Sequence, residues 1–418
     1  MSISRRKFLA GAAGAVGAGL TVDQVAAGLA ADGVSAEPSV REVGRNGSIS
    51  ELNGGPGSGD PDSGAPRAGP EPSFASAQTP PPDRFDPWVE VDPQALAFNM
   101  EVLSGLVGGR PILAVIKNNA YGLELVTAGK ILEALPQVWG LAVVKTEAAL
   151  ALKAAGIRKP VVLMALFGET DGPELVSAGV DLCLTTPDAG DRVLAAIRGA
   201  GGDVPPHAST PRLHAYLDTG MSRMGVPYHQ AVPWMEDLHR RGLRVASTFM
   251  GFTEDPEYDR EQLRRLLAVA EELRTRGVDP GLLHAASSAA VFNFPDSGLD
   301  MVRPGLSLFG AYPSNEGTEA AIAELRPALR LRARVVRVER LRPGDSVSYN
   351  RNYMAESPTW VATIPLGHSD GYPRQAVEGA RVLINGALYP PIGAVSASHT
   401  VVELGPESDT GAEPPVKI

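Results

Sequence analysis

Between about residues 88 and 325, short β-branched or apolar runs alternate with amphipathic stretches, and this alternation narrows the possible folds more than any other feature. The runs cover residues 112–117, 139–144, 161–165, 180–184, 213–218, 244–249, 282–287 and 301–310. Helical periodicity lies between them, as over 145–155 and 258–276. In the second stretch Leu263, Leu266, Leu267, Val269, Ala270 and Leu273 are expected to face one side. Strand and helix in strict alternation predict an α/β fold with a parallel sheet closed into a (β/α)8 TIM-type barrel. From about residue 329 the pattern changes. Strands are expected over 331–341, 360–366 and 380–384, with turn signals at Arg342-Pro-Gly and Asn385-Gly, so a mainly β second domain comes next.

The N-terminal part reads differently. Ser4-Arg5-Arg6-Lys7-Phe8-Leu9 precedes a mildly apolar Gly/Ala stretch, Phe8 to Leu20, in the layout of a twin-arginine export signal. Roughly thirteen such residues are too few for a lasting membrane anchor. Residues 37–87 are rich in Pro, Gly, Ser and Asp, and cannot bury enough surface to offset their ordering entropy. The expected organisation is thus a signal region 1–36, a disordered linker 37–87, a barrel 88–328 and a β domain 329–418, in a periplasmic protein. A net charge of −10 and a pI of about 5.3 argue against nucleic acid or an anionic membrane as partner. Cys183 is the single cysteine, which excludes an intramolecular disulfide, and the seven histidines show no metal-ligand spacing.

Barrel sites lie at the C-terminal ends of the strands, and Lys117 ends the run Ile112-Leu-Ala-Val-Ile-Lys117-Asn-Asn-Ala-Tyr121-Gly122. A lysine there has its stem in apolar surroundings; burial disfavours the ammonium and frees a neutral amine for Schiff-base chemistry. This segment resembles the cofactor-lysine segment of the alanine racemases, barrel enzymes that use pyridoxal phosphate (PLP). Three further segments occur in the order of that family. They are Asp218-Thr-Gly220-Met-Ser-Arg223-Met-Gly225, His284-Ala-Ala-Ser287-Ser288-Ala-Ala and Arg303-Pro304-Gly305-Leu306. The resemblance implies that Lys117 and Tyr121 bind the cofactor and that Arg223 pairs with the substrate carboxylate. Ser288 would hold the cofactor phosphate, with the backbone amides of Gly305 and Leu306, while Arg303 would face the pyridine nitrogen and keep it unprotonated.

In the second domain Val347-Ser-Tyr349-Asn-Arg-Asn-Tyr353 resembles the segment bearing the family's catalytic tyrosine. Racemisation needs an acid/base on each face of Cα, so Lys117 and Tyr349 are the expected pair. The family's tyrosine reaches across a dimer interface, which implies a homodimer here. Gly367-His368-Ser369-Asp370-Gly371 also fits the nucleophile elbow of serine hydrolases, but the next residues, Tyr372-Pro373-Arg374, do not start a helix. In the racemases a G-Y-x-D-G-Y-P-R segment stands at that place.

Departures from the family are equally specific. Tyr216 stands where many relatives carry a carbamylated lysine, and Thr248-Phe249 where a ring-stacking histidine is expected. Ala397-Ser398 replaces a Met-Asp pair whose first amide contacts substrate, leaving Ala397 as the substrate-binding candidate. The pattern stops at Ile418, short of the family's last segment, so the β domain is expected to be shortened. Taken together, the resemblance implies an exported racemase that interconverts L- and D-alanine, or another small amino acid, by two-base exchange of the Cα proton. A decarboxylase or aldolase on the same barrel, or a degenerate relative that binds PLP or amino acids without turnover, are the alternatives.

Overall fold

The computed structural model describes residues 2–3, 84–201, 211–314, 318–411 and 413–416. The expected export signal at Arg5-Arg6, nearly all of the expected linker and the final Lys417-Ile418 lie outside them. Strand β1 (Trp88–Val91) leads into helix α1 (Pro93–Leu106). Asp92 caps that helix, its Oδ1 accepting from the Gln94 and Ala95 N–H groups at 2.8 and 3.1 Å, and Pro93 occupies the first turn, where no N–H is needed.

The barrel strands are β2 (Ile112–Val115), β3 (Val138–Val143), β4 (Val161–Leu163), β5 (Asp181–Leu184), β6 (Leu213–Asp218), β7 (Val245–Phe249) and β8 (Leu282–His284), all paired in parallel with their neighbours. Residues 300–304 close the ring. Asp300 N and Arg303 N donate to Leu283 O and Ala286 O on one side, while Leu113 N and Val115 N donate to Val302 O and Pro304 O on the other. All eight expected strand positions are therefore occupied, and the (β/α)8 barrel is closed. Residue alternation divides two layers. Leu113, Ala142, Val162, Cys183, Tyr216, Phe249 and Met301 fill the lumen; Ile112, Ala114, Leu141, Leu163, Leu182, Ala215 and Leu217 pack against the helices.

Three expectations need correction. The run 301–310 does not continue as a strand: Pro304 cannot donate to a ladder, and Leu306–Phe309 winds into a 3-10 helix. Leu267 does not face the barrel. In α2 (Pro256–Thr275) Leu263, Leu266, Val269, Ala270 and Leu273 are buried while Leu267, about 100° round from Leu266, is exposed. The expected strand 331–341 is two strands. β9 (Leu329–Arg332) pairs antiparallel with β1, whereas β10 (Arg337–Leu341) joins β11 (Thr359–Ile364). One straight strand cannot serve two sheets, so the chain bends at 333–336. The second sheet runs in the order β10, β11, β13 (Thr400–Pro406), β12 (Pro391–Ile392) around a core of Ala362, Ile364, Leu366, Val402 and Leu404.

Candidate active site

Beyond β2 the chain makes one left-handed turn: Asn118, Asn119, Ala120 and Tyr121 have φ of 53°, 57°, 54° and 54°. Such a conformation costs an L-residue roughly 1–2 kcal/mol, least for asparagine, which can bond locally. Asn119 does so, its Oδ1 accepting from the Leu125 N–H at 3.0 Å. The turn puts Lys117 and Tyr121 on one side, with Lys117 Nζ 6.0 Å from the centre of the Tyr121 ring. Lys117 is half-buried at the mouth of the barrel.

Tyr121 leads to the next group. A Cβ built on Gly305 would run into the Tyr121 hydroxyl and lie 3.3 Å from Val115 Cβ, so only glycine leaves this space open. Burial pushes the Tyr121 phenol up, keeping it a neutral hydroxyl. Ser288 Oγ accepts from Gly305 N at 3.0 Å and Ser307 N at 3.2 Å, and Ser307 Oγ stands 3.0 Å from it. These hydroxyls and amides gather at the start of the 3-10 helix that Leu306 opens, an arrangement suited to an anion. Ser307 was not anticipated from sequence, although its place at a helix start after Arg-Pro-Gly was the available signal.

Arg303 is buried across the mouth. Its Nη2 donates to Met250 O at 2.6 Å and Ala285 O at 3.0 Å, its Nη1 to His284 Nδ1 at 2.9 Å, and its guanidinium lies 5.0 Å from the Phe249 ring centre. Burial lowers it to about 10, still a cation near neutrality. Tyr216 stacks on Phe249 at 4.6 Å, and Phe249 on His284 at 5.0 Å. Of the pair Thr248-Phe249 only the phenyl ring therefore faces the lumen; the Thr248 hydroxyl donates outward to Pro280 O at 2.6 Å.

Arg223 is exposed on the loop after β6, and no hydrogen bond ties it among the described residues. That loop is shaped by Asp218, whose Oδ1 accepts from Gly220 N at 2.9 Å and Ser222 N at 3.0 Å. Arg223 and Tyr216 converge over Gly251: a Cβ there would be 3.3 Å from the Tyr216 hydroxyl and 3.9 Å from Arg223 Nη2.

No hydrogen bond links the second-domain candidates to this cluster among the described residues. Tyr349 is 69% exposed in a short 3-10 turn, and its hydroxyl has no hydrogen bond among the described residues. Ala397 is exposed too, its carbonyl accepting from Ser369 N at 2.9 Å. The Gly-x-Ser-x-Gly segment is a 3-10 turn, His368–Asp370, ended by Gly371 at φ 90°, not a strand–turn–helix elbow.

Two family models match the chain. "Alanine racemase, N-terminal domain" covers residues 91–313 and "Alanine racemase, C-terminal domain" residues 328–417. An alanine racemase of Desulforamulus reducens is 31% identical over 326 residues, 76% of this chain and 85% of that protein. Among solved structures, alanine racemase from the D-cycloserine producer Streptomyces lavendulae aligns with a TM-score of 0.68 at 31% identity, over 77% of this chain and 84% of that one. Alanine racemase from Bacillus anthracis with bound L-Ala-P gives 0.68 at 29% identity, over 81% and 84%.

Proposed function

This chain belongs to the alanine racemase family, and we propose that it interconverts L- and D-alanine using pyridoxal phosphate, with Lys117 and Tyr349 as the two acid/base groups. One observation carries this function: Lys117, Tyr121, Ser288, Gly305 and Arg303 meet at a single barrel mouth from three separate stretches of sequence.

The residues present fit the cofactor. The space kept open by Gly305, ringed by the hydroxyls of Tyr121, Ser288 and Ser307 and the amides of Gly305 to Ser307, suits its phosphate. Lys117 would hold it covalently, and Arg303 would meet its ring nitrogen as a donor. When bound, pyridoxal phosphate supplies the electron sink that makes the substrate Cα acidic. The protein's own part is to place the groups. Arg223 orients the carboxylate, since a guanidinium fork matches it. Lys117 Nζ and the Tyr349 phenol hold or take the Cα proton on opposite faces, so the proton leaves one side and returns on the other. An exposed Tyr349 fits a homodimer in which each tyrosine completes the partner subunit's site.

The test is an absorbance spectrum of the purified chain with PLP, between about 400 and 430 nm, where a lysine-bound cofactor absorbs. The wild type should show the band and racemise alanine. Lys117→Ala should lack the band and lose activity by about a thousandfold or more. A wild type without a band, even with added PLP, would sink the assignment.

We further propose export by the twin-arginine route to the periplasm, on the strength of Arg5-Arg6 before the apolar stretch. Replacing both arginines with lysine should leave the chain in the cytoplasmic fraction; unchanged fractionation would count against export.

A further inference from the structure

Behind Arg303 the barrel lumen holds a row of polar side chains that the chemistry above leaves unused. Asp181 opens β5, His214 and Ser247 lie inside β6 and β7, and His284 ends β8. Each is two residues from a lumen residue on its own strand or stacked against one, so all four face inward, and all four are buried. Arg303 Nη1 is 2.9 Å from His284 Nδ1, and His284 Nε2 is 2.8 Å from Ser247 Oγ. Ser247 Oγ is 2.6 Å from His214 Nδ1, and His214 Nε2 faces Asp181 Oδ2 at 3.8 Å. Asp181 in turn accepts from Arg212 Nε at 3.0 Å, at the start of the strands.

A single placement of protons satisfies the three hydrogen bonds of this row, from Arg303 to His214. A guanidinium only donates, so His284 Nδ1 must accept, and the ring carries its one proton on Nε2. That proton goes to Ser247 Oγ, and the serine hydroxyl then donates to His214 Nδ1. His214 keeps its proton on Nε2, which makes no hydrogen bond and faces the Asp181 carboxylate across 3.8 Å. Burial and the nearby Arg303 charge push His284 well below the ordinary imidazole range, in keeping with a neutral ring. The remaining acceptors of Arg303 are the carbonyls of Met250 and Ala285, and no carboxylate contacts it among the described residues. A buried cation is costly without compensation. Here the compensation comes from the two carbonyls and from His284, whose acceptor nitrogen is polarised by the hydrogen bonds behind it.

We propose that His214 and Ser247 are positioning residues: a one-way hydrogen-bond row in the barrel lumen that locks His284 as the neutral Nε2–H tautomer and so holds Arg303 aimed at the cofactor's ring nitrogen. The last clause rests on the racemase function above; the row itself does not. Breaking the row in the middle lets Ser247 or its replacement release His284. The ring can then carry its proton on Nδ1, towards Arg303, and the guanidinium must shift.

The test uses the full PLP-loaded chain labelled with 15N-histidine, read by NMR of the imidazole nitrogens, with His284 assigned from its loss in His284→Gln. Wild type should show His284 as a single Nε2–H tautomer. Ser247→Ala, which removes one oxygen, and His214→Leu should both turn it into a mixture of tautomers. The cofactor absorbance band should shift in both, with kcat lowered about ten- to a hundredfold, as for a small misplacement of a reacting group. His214→Asn, which keeps an acceptor near the Nδ1 position, should restore tautomer, band and rate. If His284 stays a pure Nε2–H tautomer and the band is unmoved in Ser247→Ala and His214→Leu, the proposal is overturned, whatever the activity. A tautomer change in a wild-type-like fold without any cofactor band would support the row and overturn the racemase assignment instead.

Discussion

Gly305 shows how a single atom decides whether the mouth of the barrel can work. A methyl group there would collide with the Tyr121 hydroxyl and crowd Val115. Overpacking of this kind costs about 1–3 kcal/mol, and here it falls on Tyr121 and Val115 beside the proposed phosphate site. Gly305→Ala should therefore weaken PLP binding about tenfold or more and lower Tm by a few degrees. Titrating the absorbance band with PLP measures it, and unchanged affinity would mean that Tyr121 and Gly305 do not line the site. Tyr216 and Phe249 teach a second lesson at this scale. As departures from the family they read as losses, yet in the lumen they form one stacked column with His284. Offset aromatic pairs add about 0.5–1.5 kcal/mol beyond their burial, so these substitutions support each other.

Among the elements, the hairpin around Tyr349 is held partly by a bond made far along the chain, beside the Ser348–Ala394 bond and the packing of Val347. Ser346–Val347 pairs with Tyr353–Met354, and the Tyr353 hydroxyl donates to Glu403 Oε1 on β13 at 3.0 Å, tying the hairpin to the main sheet. Burial and the Glu403 charge push the Tyr353 phenol up to about 12. Its folded value is above the ordinary value of about 10, so the bond contributes fully below that pH. The contribution is lost as pH rises from about 10 to about 12, because the unfolded chain ionises first. Wild type should thus be more stable than Tyr353→Phe at pH 8, and the difference in Tm should close by pH 12. Parallel Tm curves for the two proteins would refute this linkage. The neighbouring hairpin needs no such help: Asn385 and Gly386, at φ 51° and 83°, make the tight turn that joins Val382–Ile384 to Ala387–Tyr389, as the Asn-Gly pair predicts.

For the whole molecule the open matter is where Tyr349 acts. Within one chain it is exposed and makes no hydrogen bond among the described residues, while Lys117 lies at the barrel mouth. In a homodimer with shared sites, Lys117→Ala and Tyr349→Phe should each be inactive. Mixing them under exchange conditions should restore about a quarter of wild-type activity, since half the dimers would be mixed and each would hold one intact site. No recovery on mixing would place both groups in the same subunit. A Tyr349→Phe chain should also melt like wild type, as expected for an exposed ring, within about 0.5 kcal/mol.

Periodicity by itself determined the eight barrel strand positions and the change to β structure near residue 329, and short motifs pointed to Lys117, Ser288 and Arg303 at one barrel mouth. These are local signals: a buried strand must be apolar, and a phosphate cradle needs small residues at a helix start. Tertiary structure alone decided the split of 331–341 between two sheets, the exposure of Leu267, the bonding of Ser307 to Ser288 and the row from His214 to Arg303. Asp181, His214, Ser247 and His284 stand on four different strands, more than a hundred residues apart from end to end. Nothing near Asp181, His214 or Ser247 in the chain marks it as polar and inward-facing. Only the register of a closed barrel brings the four together, because strand stagger, not sequence separation, sets which side chains meet in the lumen.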